Sequence, residues 1–309
     1  MTDKTFLGVS DAMLKHLDDL SHDKERGAWW RDVLLSDDLF IAIRDGYLNV
    51  YHRGASLYRI DEKGGGTPHP KTHVKYLVRH QQELAELVDG KFVSAKEIAW
   101  TSYEPGKTLH DMIYAASALA GEEKEGLHSM IMHEPRVIDV ELALGSNDRL
   151  DAVTLEPEGD SIAIAFHEAK HFDNPALRQR TKGNPNVIEQ LRRYRRTLED
   201  HKDLLLERYR VTCRALVKIA AMRRQVRDEY NLPTDELSPL IQNAAAGTAK
   251  LVINCDPRLI IFGFDSDQKS GALKRMKEAL TNAEAEPGLS IYAAGDPKTA
   301  KGAFNPPAG

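Results

Sequence analysis

Three residues of this chain combine types and spacing that can do chemistry together: Asp151, Glu168 and Lys170. They lie in the stretch NDRLDAVTLEPEGDSIAIAFHEAKHFDNPALRQRTKGNPNVIEQLRRY, residues 147–194. Two apolar, β-branched runs, Leu150–Leu155 and Ile162–Phe166, flank Glu156-Pro157-Glu158-Gly159-Asp160, whose Pro and Gly favour a turn. The stretch therefore reads as a β-hairpin. A turn centred near Glu158 and Gly159 predicts Asp151 opposite Phe166, within about one pleat of Glu168. Residues two apart on a strand share a face, so Lys170 joins Glu168 on the side that Asp151 can reach. Such carboxylates can bind a hard divalent cation and keep an ammonium beside it. The plainer reading of the same residues is a salt-bridge cluster on an edge strand.

His167-Glu168-Ala169-Lys170-His171 also matches H-E-x-x-H, a zinc-peptidase signature that works only on a helix. On a helix His167 and His171 would be ligands, Glu168 the base and Glu189 a third ligand. Two features oppose it. Lys170 would put a cation beside zinc, and Asn174-Pro175 would end the helix almost at once.

The elements that must position these residues can be followed along the chain. Met1–Ser36 reads as one or two short helices, with Ser10-Asp11 a cap before Met13, Leu14 and Leu17, and with Trp29-Trp30 as core or interface. Leu39–Arg44, Tyr47–Tyr51 and Ser56–Ile60 read as a β-meander turning at Asp45-Gly46 and Arg53-Gly54. Its Tyr47, Tyr51, Tyr58, Arg44, Arg53 and Arg59 suit either a nucleic-acid surface or, more simply, the filling of a sheet. Gly64-Gly65-Gly66 with Pro68 and Pro70 predicts a loop or linker. Tyr76–Val88 has helical spacing, Phe92–Thr101 fits either type, and a helical pattern runs from Leu109 to Met132 with breaks at Gly121 and Gly126. It carries Glu122, Glu123 and Glu125. The strand Val137–Leu144 has Asp139 and Glu141 on one face.

After the hairpin, a helix from Val187 to about Asp200 sets Gln190 and Tyr194 on one face, four residues apart. A basic helical stretch runs from Leu204 to Tyr230, and Asn243–Gly247 reads as a small-residue loop. Leu251–Asn254, Leu259–Phe264 and Leu289–Ala293 are strand-like, Ala272–Leu280 is helical, and the Pro-rich end from 296 to 309 is expected to be disordered.

The 309 residues are 41% hydrophobic and 29% charged, enough for one large or two medium domains with a sizeable core. No apolar run approaches the roughly 20 residues of a membrane span, and residues 1–20 lack an unbroken apolar leader region. The expectation is a cytoplasmic protein. Cys213 and Cys255 form no C-x-x-C pair, which argues against a disulfide framework or cysteine-based zinc. The net charge of −5 is uneven. Lys170–Arg227 holds 16 Lys or Arg against 6 Asp or Glu, an excess of +10, so the rest of the chain carries −15. This can be a solvated helical face, or a surface that holds phosphates.

A helix with a glutamate, a strand, a strand with Asp151, a strand with Glu168-Ala169-Lys170 and a helix with Gln190-x-x-x-Tyr194 together resemble the PD-(D/E)XK nuclease superfamily. The Q-x-x-x-Y element is similar to that of its RecB-like branch, over roughly Leu109–Ala293. Leu150 stands where the family has Pro. The resemblance implies a three-layer α/β restriction-endonuclease-like core with a mixed β-sheet over 108–295, carrying a basic helical insertion at 204–247. A smaller α+β module at 1–107 would serve recognition or sensing. The implied activity is an Mg²⁺-dependent endonuclease, with Mn²⁺ as a substitute, that cuts phosphodiester bonds in DNA in a restriction or anti-phage setting. Expected partners are nucleic acid and either further copies of the chain or a defence-system protein.

The resemblance makes Asp151, Glu168, the Ala169 carbonyl and a helix glutamate the metal ligands. Glu125 is placed first for that glutamate, Glu122 second, and Glu141 is a strand-borne alternative. Lys170 would be base or electrostatic anchor, and Gln190 would orient the substrate backbone or the metal-bound water. Tyr194, Arg178, Arg180, Arg192, Arg193, Arg195 and Arg196 would meet nucleic acid. A non-catalytic nucleic-acid-binding member of the same fold and the zinc peptidase are the alternatives.

Overall fold

The computed structural model describes residues 8–79, 86–89, 91–93, 99–144, 148–178, 184–283, 289–300 and 302–305. The chain divides into two compact units, one of Val9–Ala120 with Ile219–Thr234, the other built from Gly121–Lys218 and Asp235–Gly309.

In the first unit the Ser10 side chain accepts from the Met13 N–H and caps helix α1 (Asp11–His22), which buries Met13, Leu14 and Leu17. Helix α2 (Ala28–Leu35) buries Trp30, Val33 and Leu34. Strands β1 (Phe40–Arg44), β2 (Tyr47–His52), β3 (Ala55–Lys63) and β4 (Thr67–Lys71) pair in chain order as an antiparallel sheet. The expected meander is present, with a fourth strand in place of a linker. The three glycines make a single 3-10 turn, and Pro68 and Pro70 sit on the edge strand β4, where a missing N–H on the outer side costs no ladder bond. Tyr51, Tyr58 and Arg44 are buried, so these residues fill the sheet, while Arg59 stacks 3.7 Å from the Tyr47 ring and pairs with Asp61.

Strands β5 (Glu86–Val88) and β6 (Lys91–Val93) form a two-stranded ribbon, and a 3-10 turn spans Val74–Tyr76. The helix expected over Tyr76–Val88 is therefore not formed at either end of that range, short apolar runs being poor discriminators of helix from strand. Helix α3 (Thr108–Ala118) ends the N-terminal part of the unit. Residues 219–234 belong with it, because Arg227 donates to the Leu35 and Pro233 carbonyls and pairs with Asp37 at 2.6 Å, and Arg31 pairs with Glu229 at 2.8 Å. The division thus falls near residue 120 rather than 107, and the expected insertion at 204–247 is shared between the units.

The second unit begins with helix α4 (Glu122–Met132) and strands β7 (Val137–Ala143), β8 (Arg149–Glu158) and β9 (Ser161–His171). Helices α5 (Asn186–Asp200), α6 (Lys202–Asp228, of which residues to Lys218 belong here) and α7 (Pro239–Ala246) follow. Strand β10 (Lys250–Ile253), β11 (Arg258–Phe262), helices α8 (Ser266–Ser270) and α9 (Ala272–Ala283) and strand β12 (Ile291–Ala294) complete it. Asn243–Ala246, expected in a loop, is the last turn of α7.

The sheet runs β12-β11-β9-β8-β7. Strands β7, β8 and β9 are antiparallel neighbours, and β11 and β12 continue parallel to β9. The side of β9 away from β8 is covered by β10 along its first half and by β11 along its second. One sheet face, with Leu155, Ile164, Phe166, Leu259 and Ile261, packs against Val187, Leu191 and Leu198 of α5, Tyr209 of α6 and Leu280 of α9. The other face carries α4, whose Gly126 lies so close to the Phe262 ring that a Cβ there would stand 2.4 Å from it. This is a mixed-sheet α/β fold of three layers. Phe304 is fully buried with its ring 5.0 Å from that of His167, and Asn305 accepts from Arg136, so 302–305 fold back onto the unit where composition predicts disorder. Among the described residues no helix is long and apolar enough to cross a membrane.

Candidate active site

Strands β8 and β9 pair from Ala152↔His167 to Glu158↔Ser161, which makes Gly159-Asp160 the turn, with Gly159 at φ +56. One step beyond Ala152↔His167, Asp151 faces Glu168. The turn sits one residue later than expected, which moves the pairing by two. Because strand faces alternate with a period of two, that shift leaves the same side chains together and brings Asp151 directly against Glu168. Asp151 Oδ2 accepts the Ala169 N–H at 2.7 Å, which locks the strand ends together.

Asp151, Glu168 and Lys170 share the face that carries Phe166, under α5. Strand β9 is interior, not an edge, and Glu168 is only 1% exposed, which removes the plain reading of a surface salt-bridge cluster. Glu168 Oε1 accepts from Lys170 Nζ at 2.5 Å and from Gln190 Nε2 at 2.9 Å. Its Oε2 is buried and has no hydrogen-bond partner. The Tyr194 hydroxyl lies beside Glu168 but gives its single hydrogen to the Arg149 carbonyl at 2.6 Å, while Gln190 Nε2 also donates to the Tyr194 oxygen. The Gln190 amide nitrogen has two hydrogens, and both are spent inside the site. Gln190 thus holds Glu168, and Tyr194 ties α5 to β8.

The helix carboxylate at this site is Glu123, not Glu125. Glu123 Oε1 lies 3.8 Å from Lys170 Nζ, and its Oε2 accepts from the His171 N–H at 3.1 Å and from Asn174 Nδ2 at 2.6 Å. Glu125, two residues on and about 200° around the helix, reaches Lys298 at 3.9 Å instead, and Glu122 is exposed. The stripe explains this: Glu123, Gly126, Leu127, Met130 and Ile131 follow i, i+3, i+4, i+7, i+8, so Glu123 leads the face that α4 turns to the protein. That signal was present in the sequence.

Glu141 also comes close. With Val140↔Ala152 and Leu142↔Leu150 paired, it stands beside Asp151 across the β7–β8 ladder, at φ +52, with Arg149 at 3.6 Å. Asp139 is committed elsewhere, to Arg208 at 3.1 Å and to the Tyr209 hydroxyl.

Charge in this cluster is unbalanced. Burial, then the neighbouring Glu168 charge, push the Asp151 carboxyl well above the usual range against the pull of Lys170 and the Ala169 N–H, and Glu141 adds to the push. Burial likewise raises Glu168, which Lys170 partly offsets. For Lys170, burial disfavours the ammonium, but Glu168, Asp151 and Glu123 outweigh it and its pKa rises. An all-oxygen set of acidic groups with an unpartnered buried oxygen fits a hard divalent cation. Asp151 and Glu168 face each other on the two strands and Glu123 stands across Lys170, but the three carboxylates do not bring ligand oxygens within 4.8 Å of one another, so holding one ion would draw Glu123 inward. Ala169, which the resemblance makes a carbonyl ligand, follows Glu168 on β9 and meets Asp151 through its N–H.

The H-E-x-x-H pentapeptide is a strand. His167 and His171 are separated by about 13 Å of extended chain rather than one helical turn, and they lie on the face opposite Glu168. His167 is fully buried, shares a hydrogen bond with Thr154 Oγ1 at 2.8 Å, and is held neutral by burial and by the charges of Arg258 and Arg136. No zinc-peptidase geometry results.

The arginines expected to meet nucleic acid point in several directions. On α5, Arg192 pairs with Glu189 at 2.8 Å, Arg193 with Asp148 at 3.0 Å and Arg195 with Asp256 at 2.8 Å, and Arg196 is exposed. At about 100° per residue Arg192 and Arg196 lie about 40° apart, with Arg193 and Arg195 about 160° apart on their two flanks, so the four spread over nearly half of the helix circumference. Arg178 is exposed, stacks on Phe172 and pairs with Asp173 at 3.6 Å, while Arg180 lies outside the described residues.

Compared with known proteins, the chain matches no family model, no curated protein and no solved structure.

Proposed function

We propose that the second unit is a divalent-cation-dependent nuclease that hydrolyses phosphodiester bonds, with DNA as substrate and Mg²⁺ or Mn²⁺ as the ion. The observation that carries this reading is the placing of three carboxylates about the charge of Lys170, Glu168 and Asp151 from two strands and Glu123 from a helix, with Glu168 Oε2 left unpartnered. The order of these elements agrees with the superfamily that the sequence resembles.

In the hydrolysis a water oxygen attacks phosphorus, the bond to the leaving oxygen breaks, and that oxygen takes up a proton. A bound divalent cation supplies Lewis acidity and neutralises charge on the phosphoryl oxygens. Asp151 and Glu168 would hold the cation at the strand ends, with Glu123 the carboxylate that the α4 side would add. Lys170 is within reach of the same point and presents an ammonium to the attacking water or to a phosphate oxygen. Without a cation, Glu168, Asp151 and Glu123 raise its pKa and keep it charged. Gln190 keeps Glu168 aimed, and exposed arginines such as Arg196 and Arg178 grip phosphates.

The test is cleavage of plasmid, linear duplex, single-stranded DNA and RNA with Mg²⁺, Mn²⁺ or EDTA, by the wild type and Asp151→Ala. Cation-dependent cutting lost in the variant supports the proposal. Binding of nucleic acid without cutting under any condition would favour a non-catalytic member of the same fold.

A further inference from the structure

We infer that Asn174 is a positioning residue, one that anchors Glu123 so that its free oxygen faces the cation; this rests on the reading of the site given above. In the sequence Asn174 signals only the end of an element, ahead of Pro175. In the structure its side chain joins two pieces of the site. Asn174 Oδ1 accepts the Ala176 N–H at 2.9 Å and caps the 3-10 turn Pro175–Leu177. Asn174 Nδ2 donates to Glu123 Oε2 at 2.6 Å.

The two partners fix which end of the amide is which. A backbone N–H can only donate and a carboxylate can only accept, so the oxygen must face Ala176 and the nitrogen Glu123. The turn that carries Asn174 is itself anchored, with Phe172 and Leu177 buried on either side of it.

Glu123 needs such an anchor. It lies in the first turn of α4 and its side chain is 36% exposed, so packing alone does not choose its rotamer. Two donors, Asn174 Nδ2 and the His171 N–H, converge on Oε2. Oε1 is thereby turned toward Lys170. Both donors are neutral. They orient the carboxylate by charge-assisted hydrogen bonds without cancelling the charge that attracts a cation, as an arginine in the same place would.

The experiment is calorimetric titration of Mn²⁺ into the full chain as wild type, Asn174→Ser, Glu123→Gln and the double variant. Serine keeps an oxygen that can cap the turn but removes the Nδ2 donor, so a capping role alone is largely preserved. Asn174→Ser is expected to weaken Mn²⁺ binding by roughly 10- to 100-fold, the usual range for a group that orients a ligand, with the melting temperature of the cation-free protein little changed. In the Glu123→Gln background the same substitution should cost nothing further. Wild-type affinity in Asn174→Ser, or a loss that adds in full to that of Glu123→Gln, would overturn the inference alone. A wild type that binds no Mn²⁺ would overturn the reading of the site and this inference with it.

Discussion

The Lys170 ammonium lies 2.5 Å from Glu168 Oε1, and a second carboxylate, Glu123, stands 3.8 Å away on its other side. Lys170 therefore occupies the positive position of an acidic cluster, and a divalent cation entering the cluster competes with it. At pH 8, Lys170→Met is expected to bind Mn²⁺ more tightly than wild type while turnover falls by about 10²-fold or more. Parallel calorimetry and plasmid cleavage check both halves. Weaker Mn²⁺ binding in the variant would mean that Lys170 supports the cation's seat instead of competing for it.

Asp151 supplies a pH prediction. Its folded pKa lies above the ordinary carboxylate value, so the folded state holds the proton more tightly than the unfolded chain does. The stability this gives is present below the unfolded pKa and is lost as pH rises through the folded one. At neutral pH and without cation, Asp151 is thus a liability, and Asp151→Asn should raise the melting temperature, by about 2–4 °C for each kcal/mol relieved in a unit of this size. Saturating Mn²⁺ should reverse the order, stabilising wild type and not the variant. Melting curves at pH 7.5 with Mn²⁺ or EDTA would refute this if wild type is the more stable without cation.

Local pattern carried much of this site, and tertiary placement carried the rest. The hairpin, the shared face of Glu168 and Lys170, and the Gln190–Tyr194 pair follow from strand and helix periods, which survive an error of two in register. The turn itself is less legible: Pro157-Glu158 and Gly159-Asp160 compete for its centre, and the pairing of Glu158 with Ser161, with Gly159 at positive φ, settles it. Three glutamates crowd one turn of α4, and charge alone does not separate them; only the apolar stripe led by Glu123 does. The prolines of β4 hid a strand because a sequence does not say which edge is free. The terminal Phe304 could not be placed at all, since its partner His167 lies 137 positions away.

His167 gives the opposite pH dependence. It is buried neutral with a pKa well below the usual histidine value, so protonation is easier in the unfolded chain. That contribution to stability is present above about pH 6.5 and is lost as pH falls toward the depressed folded value. His167→Gln should flatten the acid side of the stability curve, even if it lowers the plateau, and should leave cation-dependent cleavage within a few-fold. Abolished cleavage in a well-folded His167→Gln would reopen a ligand role for this residue.

For the α5 arginines the prediction is a number. Replacing Arg192, Arg193, Arg195 and Arg196 together with Gln should lower the slope of log K against log salt by about 2 rather than 4, at roughly 0.9 per phosphate contact. Arg192 and Arg196 share one face, with Arg193 and Arg195 turned to either side of it, so about half can reach one duplex. Binding isotherms over a salt series measure this. An unchanged slope would leave all four as solvated surface, with their carboxylate pairs worth little.

Gly126→Ala separates helix propensity from helix docking. Alanine is the better helix former by about 1 kcal/mol, so α4 taken alone should gain. In the protein, however, the new Cβ would stand 2.4 Å from the Phe262 ring and 3.1 Å from Pro297. Phe262 is fully buried in β11, one strand from Glu168, and a ring packed on both sides has little room to retreat. Relief must come from moving α4 outward, at a net cost of about 1–3 kcal/mol, the range for overpacking a core. The same movement draws Glu123, three residues earlier on the same stripe, away from Lys170. Gly126→Ala is therefore expected to lower both the melting temperature and the Mn²⁺ affinity, whereas Gly121→Ala, where a Cβ meets nothing within 4 Å, should change neither appreciably. If Gly126→Ala melts lower but binds Mn²⁺ as wild type does, α4 yields locally and the coupling of its docking to the site is wrong.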